Sequence, residues 1–309
     1  MLGTFISNLA RTASREWRLL RARDATSFYL NMGFDLHEQV DAHCDDLDAP
    51  LWLNYGYWKG VDQHDQACIQ MADLLADAAK MGPGQHVLDC GFGFAEQDLH
   101  WLATRNPAHI TGINITPLHI EYAHKRLDKR GLSDRMTLKL GSATELPFPD
   151  ATFDRVVALE SAFHFDTRER FFAEAFRVLK PGGWLATADV LPLPGDLNPP
   201  WRRLVLKRYA WPVVNCYDRN VYAEKLVKHG FTAVGSQSIR NYVLPGVLAY
   251  LAARKRGAGR DVRIQVPEAD FENCRGGIWF RIGAGLGDYV IMNAQKPEAK
   301  ATAQTTAAE

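Results

Sequence analysis

The sequence predicts an α/β fold, a doubly wound and mostly parallel sheet with helices on both faces. Two observations carry this. From about residue 66, short apolar stretches of strand length alternate with segments of helical period, and such strands imply a parallel sheet covered on both sides. The candidate motifs fall at the carboxyl ends of those strands, where open sheets bind ligands.

The elements follow in order. Ala67, Ile69, Met71, Leu74, Leu75 and Ala78 have helical spacing, which ends before Gly82-Pro83-Gly84. His86-Val87-Leu88-Asp89 is a first strand running into glycines, followed by a helix with Leu99 and Leu102. A second strand covers Ile110–Ile115. Thr116 then predicts an N-cap, with Pro117 at the first helical position. Met136–Leu140 and Phe153–Leu159 read as the third and fourth strands. Arg168–Leu179 is an amphipathic helix closed by Lys180-Pro181-Gly182-Gly183, and Trp184–Leu191 is the fifth strand. After residue 191 the rhythm breaks into a turn-rich stretch. Tyr222–His229 then reads as a helix, Ala233–Ile239 as a strand and Asp288–Ala294 as a last strand. The stretch 240–286 is long for a connection, and with 192–218 it reads as a lid inserted after the fifth strand.

Composition narrows the function. Lys+Arg and Asp+Glu each number 36, and the basic residues form no extended stripe, which argues against nucleic acid. No apolar run reaches the roughly 18–20 residues that span a bilayer, and the N-terminus lacks the apolar region of a secretory signal. Five cysteines without a CxxC pair argue against a zinc site and a disulfide framework, and fit a reducing cytoplasm. Leu2, Phe5, Ile6, Leu9, Ala13, Trp17 and Leu20 share a helical face, with Arg11, Arg15, Arg18, Arg21 and Arg23 among them. Contact with a membrane surface or an acidic partner is one reading. The favoured one is a helix that packs on its own domain or on the second subunit of a homodimer.

The loop Asp89-Cys90-Gly91-Phe92-Gly93-Phe94-Ala95 leaves the first strand and enters a helix. Its glycines let the backbone turn tightly and let a ligand approach the main chain. A dinucleotide loop and a bare structural turn are both open readings. The spacing D-x-G-x-G-x-A, with an acid on the strand side, suits a cationic group better than a pyrophosphate, which Asp89 would repel.

Further stretches join this loop: Asn54-Tyr55-Gly56-Tyr57-Trp58, Ile110–Ala123, Gly141–Asp154, Ala158–Phe165 and Arg177–Asp189. With Gly82-Pro83-Gly84-Gln85 upstream, residues of about 53–190 resemble the small-molecule methyltransferases of the class I, Rossmann-like fold. Within that group they are similar to the sugar O-methyltransferases of erythromycin and rebeccamycin type. The resemblance implies a seven-stranded sheet with an antiparallel last strand, and S-adenosylmethionine as cofactor. It divides the chain into an N-terminal helical cap (1–65), a cofactor-binding core (66–191), lid insertions with the last helix and strands (192–296), and a disordered tail (297–309). Position by position it gives Asp89, Gly91 and Gly93 to the methionyl end, Asn114 to the ribose, and Ser142 and Ala143 to the adenine. Glu160 would receive the methionyl ammonium, and Tyr57 and Trp58 would close over the cofactor.

Where the sugar O-methyltransferases carry a His-His pair and an Asp, this chain has Phe163, His164 and Asp189. His164 is thus the expected general base and Asp189 its partner on the neighbouring strand end. The segment from Trp201-Arg202-Arg203 to Trp211, with Tyr217 and Tyr222, reads either as the lining of a pocket for a large, partly apolar acceptor or as the outer face of a lid helix. Three functions compete. The leading one is O-methylation of a small lipophilic or glycosylated metabolite. The others are C-methylation of a quinone, sterol or prenyl lipid, and cofactor binding by a scaffold that transfers no methyl group.

Overall fold

The computed structural model describes residues 47–193, 211–266 and 287–299. The basic N-terminal segment, the Trp201-Arg202-Arg203 stretch, the second half of the expected lid and the tail from residue 300 lie outside the described residues.

The strands β1 (His86–Cys90), β2 (His109–Asn114), β3 (Met136–Leu140), β4 (Phe153–Leu159), β5 (Leu179–Pro192), β6 (Thr232–Ser238) and β7 (Gly287–Gln295) form one sheet. Among the described residues its order is β3-β2-β1-β4-β5-β7-β6. The first five strands run parallel, and β7 is antiparallel to both its neighbours. This is the doubly wound sheet the sequence predicts. The order reverses between β1 and β4, so the crevice at their carboxyl ends is the place for a ligand.

Pleating sends successive side chains to opposite faces, and each strand of the pair supplies both. Val87, Val157 and Ile291 join one apolar layer with Met71 and Leu75 of α1 (His64–Ala78) and Trp101 and Leu102 of α2 (Glu96–Thr104). Leu88, Val156 and Val290 join the other, with Phe171 and Phe172 of α4 (Arg168–Val178). Leu127 of α3 (Pro117–Arg130) closes the first layer, and Tyr222 and Leu226 of α5 (Arg219–Lys228) close the second.

Three local expectations change. Thr116 takes the N-cap position of α3, but its hydroxyl caps nothing; its buried Oγ1 lacks a partner among the described residues. β5 starts at Leu179, five residues before the expected Trp184, because Leu179 pairs with Phe153 ahead of an irregularity in the register. The start of the stretch 240–286 is scaffold rather than lid. It forms α6 (Arg240–Lys255), and Val243 is buried in the same layer as Tyr289 and Ile291 of β7. No helix among the described residues is long and apolar enough to cross a membrane.

Phe172 is wholly buried between the sheet and Tyr222. Replacing it with Ala is expected to cost about 3–5 kcal/mol, read as a lowered midpoint in urea unfolding.

Candidate active site

The glycine loop is held from both sides. Gly91 has φ +91, and a Cβ there would lie 2.5 Å from that of Ser161, whose hydroxyl donates to the Cys90 carbonyl at 2.6 Å. Gly93 has φ +57 and faces Leu53. The Gly91 amide donates to the Ile113 carbonyl, tying the ends of β1 and β2 together. Ala95 has φ +61, a left-handed backbone that opens α2. The loop is therefore a cradle whose inner surface is main chain.

Asp89 is fully buried at the end of β1. Gln97 donates to its Oδ2 at 2.9 Å and also to the Phe92 carbonyl. Its Oδ1 has no hydrogen-bond partner among the described residues. Burial pushes its carboxyl up to about 7, against the opposing pull of Gln97 and Asp98.

Glu160 follows β4 in a left-handed conformation, φ +50. Its Oε1 accepts from the Tyr55 amide at 2.6 Å and from the Tyr289 hydroxyl. Burial, with some repulsion from Asp189, raises it to about 8. Asp89 and Glu160 thus stand on the two strands that flank the crevice.

On the other side of β1, the Asn114 Oδ1 accepts from the Thr116 amide at 3.0 Å, and its Nδ2 lies 3.4 Å from the His119 Nδ1. Asn114 is spent largely on holding its own turn. Ser142 likewise accepts from the Thr144 amide and shares a hydrogen bond with the Thr144 hydroxyl. Ala143 is buried in the apolar layer with Ile113 and Leu146.

Two expectations need correction. Trp58 is not a cover over the glycine loop. It is 2% exposed in a satellite cluster with Tyr250, Ala253 and Ile264, and a Cβ on Gly246 of α6 would strike its ring at 2.2 Å. Its Nε1 donates to the Tyr55 carbonyl, and Tyr57 packs on Tyr242. The strap that closes on the loop lies just upstream. The Leu51 amide donates to Glu96 Oε2, Leu53 meets Gly93, and the Tyr55 amide reaches Glu160. Arg126, fully buried, pins this strap through Glu96 at 2.7 Å and the Leu47 carbonyl.

The second correction concerns Asp189, expected as the partner of His164. Its carboxylate is sealed in the interior and committed to Arg168, whose Nε lies 2.8 Å from Oδ2. The Val190 amide donates to Oδ1, and the Phe163 amide also reaches the carboxylate. Arg168 further donates to the Asn215 carbonyl, while Asn215 donates from Nδ2 to the Phe165 carbonyl at 2.7 Å. The network pins the short 3₁₀ turn Ala162–His164 from below. Asp189 therefore anchors the turn that carries His164. Tyr222, read from sequence either as pocket lining or as the outer face of a lid helix, is core: its hydroxyl lies 2.9 Å from that of Thr187.

His164 itself is half-buried on that turn. Its ring lies 3.9 Å from that of Phe163, which in turn is 5.4 Å from Trp211. These rings form an aromatic shelf beside the crevice.

A methyltransferase domain model matches residues 88–187, which run from the end of β1 to the middle of β5. The chain is 44% identical over 209 residues to erythromycin 3''-O-methyltransferase of Saccharopolyspora erythraea, covering 64% of this chain and 68% of that one. The chain belongs to the class I S-adenosylmethionine-dependent methyltransferases. It is also 33% identical over 271 residues to 27-O-demethylrifamycin SV methyltransferase of Amycolatopsis mediterranei, covering 85% of this chain and 97% of that one. A geranyl diphosphate methyltransferase solved with S-adenosylmethionine shares the fold, with a TM-score of 0.59 at 19% identity over 75% of this chain and 87% of that one.

The cofactor of this methyltransferase is S-adenosylmethionine, and the crevice fits it. The Asp89 Oδ1 is a buried acceptor without a hydrogen-bond donor among the described residues, at the strand end that leads into the glycine loop. Residues given no role from the sequence stand beside the expected ones: Gln97 bonds Asp89, Tyr55 and Tyr289 bond Glu160, and Arg168 and Asn215 hold the turn of His164. Glu96-Gln97-Asp98 had a signal, two acids in a first helical turn, which reads as ordinary helix-dipole matching.

Two outcomes follow from the ion balance. Asp189→Ala leaves Arg168 buried and unpaired, so it is expected to cost about 3–5 kcal/mol of stability, measured by denaturant titration. Asp89 behaves in the opposite sense. Its pKa is higher in the folded state than the ordinary 3.8, so its contribution to stability falls as pH rises from about 4 towards about 7. Asp89→Asn should therefore raise the melting temperature of cofactor-free protein at about pH 8 and leave it nearly unchanged at about pH 4. A melting temperature lowered at both would contradict this.

Proposed function

We propose that this methyltransferase transfers a methyl group to a hydroxyl of a small lipophilic or glycosylated metabolite, with His164 as general base. The observation that carries this is the placement of His164. It stands on an anchored turn after β4, four residues beyond Glu160, beside the shelf of Phe163 and Trp211. Erythromycin 3''-O-methyltransferase and 27-O-demethylrifamycin SV methyltransferase, to which the chain is similar, are both named for a methyl group placed on oxygen.

When bound, S-adenosylmethionine supplies a methyl carbon activated by a sulfonium. Asp89 Oδ1 and Glu160 are the carboxyl oxygens that would hold the cofactor's ammonium. Gly91 and Gly93 offer main chain to its methionyl end, while Asn114 and the Ser142-Ala143 turn border the ribose and adenine. The aromatic shelf orients an apolar acceptor and keeps water out, and much of the catalysis of such a displacement is positioning. His164 takes the proton from the acceptor hydroxyl as general base. Asp189, Arg168 and Asn215 act on this step only by holding the turn still.

His164→Ala is expected to lower kcat/KM about a hundredfold or more while S-adenosylhomocysteine binds with nearly unchanged Kd. Unchanged turnover removes His164 from the mechanism. A methyl-transfer screen against glycosides, phenols and prenyl lipids, with products located by NMR, separates O-methylation from C-methylation. A protein that binds the cofactor and methylates none of them supports the scaffold reading instead.

A further inference from the structure

Tyr289 lies on β7, the antiparallel strand between β5 and β6, and pairs with Val190. Its ring is wholly buried in the apolar layer that also holds Val243 and Ile291. A phenol so placed must find an acceptor for its O–H, because a buried hydroxyl without one destabilises the fold. The acceptor is Glu160 Oε1, at 2.5 Å. The Tyr55 amide of the strap donates to the same oxygen at 2.6 Å. The Glu160 amide in turn donates to the Ala188 carbonyl of β5 at 2.8 Å. One carboxyl oxygen thus joins the end of β4, β7 and the strap. No donor among the described residues bonds to Oε2, and the side chain is half-buried, so Oε2 is the oxygen left for a ligand.

A glutamate side chain has several rotatable bonds. Fixing them before a ligand arrives removes an ordering cost from binding. A hydrogen bond from a neutral donor also favours the ionised form of its acceptor. Both effects help an acid that must meet a cation. Phenylalanine would fill the same space with no hydroxyl to satisfy, so packing alone does not account for a tyrosine here. The titratable groups that act on Glu160 or respond to it are Tyr289 of β7, Asp189 of β5, Tyr55 of the strap and Cys68 of α1. Asp189 is paired with Arg168, while burial keeps the Cys68 thiol and the Tyr289 phenol protonated.

We propose that Tyr289 is a positioning residue for cofactor binding, whose hydroxyl holds Glu160 Oε1 so that Oε2 faces the cofactor's ammonium. Tyr289 acts through Glu160 and does not itself touch the cofactor. The inference rests on the reading that Glu160 meets that ammonium.

The test titrates two probes calorimetrically into the full chain. S-adenosylhomocysteine carries the ammonium, and methylthioadenosine lacks the amino-acid end. Tyr289→Phe keeps the ring and loses the donor. At about pH 7 its Kd for S-adenosylhomocysteine is expected to rise about tenfold, with methylthioadenosine within about twofold of the parent. The pH at which S-adenosylhomocysteine binding strengthens should also move up, since the lost donor had favoured the ionised acid. In a Glu160→Ala background the hydroxyl has no carboxyl to hold, so adding Tyr289→Phe should change Kd by less than about twofold. Parent-like binding of S-adenosylhomocysteine by Tyr289→Phe, or an equal loss of both probes, overturns the proposal. Glu160→Ala separates the two levels. If it binds S-adenosylhomocysteine as tightly as the parent, the placement of Glu160 at the ammonium fails. If it binds weakly while Tyr289→Phe does not, only the role of Tyr289 fails.

Discussion

The site is organised by an imbalance of charge in its interior. Asp89 and Asp98 are buried carboxyl groups beside the end of β1, Glu160 stands partly exposed at the end of β4, and no protein cation is paired with them in the interactions described above. Elsewhere the chain does not tolerate this. The buried Asp189 has Arg168, and Glu96 has Arg126. Among the described residues the site acids are thus buried or half-buried carboxyls without an arginine, an arrangement that suits an external cation. S-adenosylmethionine brings an ammonium and a sulfonium, and both would enter the same crevice.

The surrounding structure follows from that need. Gly91 and Gly93 leave room for Ser161 and Leu53, which wedge the loop in position, and the strap from Leu51 to Tyr55 is fastened to Glu96 and Glu160. The paired charges perform the opposite task. Arg168–Asp189, with Asn215, fixes the turn that presents His164 and the aromatic shelf. The cofactor side thus depends on acids left without a cation and the acceptor side on an acid that is neutralised. The same residue type, on adjacent strand ends, does unlike things because one found an arginine and the other did not.

The parts of this arrangement visible in the sequence are those that local pattern encodes. Strand period led to the sheet and to a ligand site at its carboxyl ends, the glycine spacing with Asp89 suited a cationic group, and the resemblance to class I methyltransferases supplied the cofactor. β3 and β4 begin and end where the sequence placed them. What local pattern could not encode was partnership across the fold. Trp58 was expected to close over the cofactor because its segment resembles the covering segment of the family, but α6 offers Gly246 as a slot nearly two hundred residues on, and the indole is buried there as part of the core. Asp189 looked like a catalytic partner because it ends β5; only the folded chain brings Arg168 beneath it.

The central claim is that acids kept partly protonated in the free protein become ionised when the cationic cofactor arrives. Isothermal titration of S-adenosylmethionine near pH 7, in two buffers of different ionisation enthalpy, counts the protons exchanged. With Asp89 at about 7 and Glu160 at about 8, binding should release on the order of one proton. Its affinity should strengthen correspondingly as pH rises. A binding enthalpy that is the same in both buffers would mean that no proton leaves, and would contradict the account.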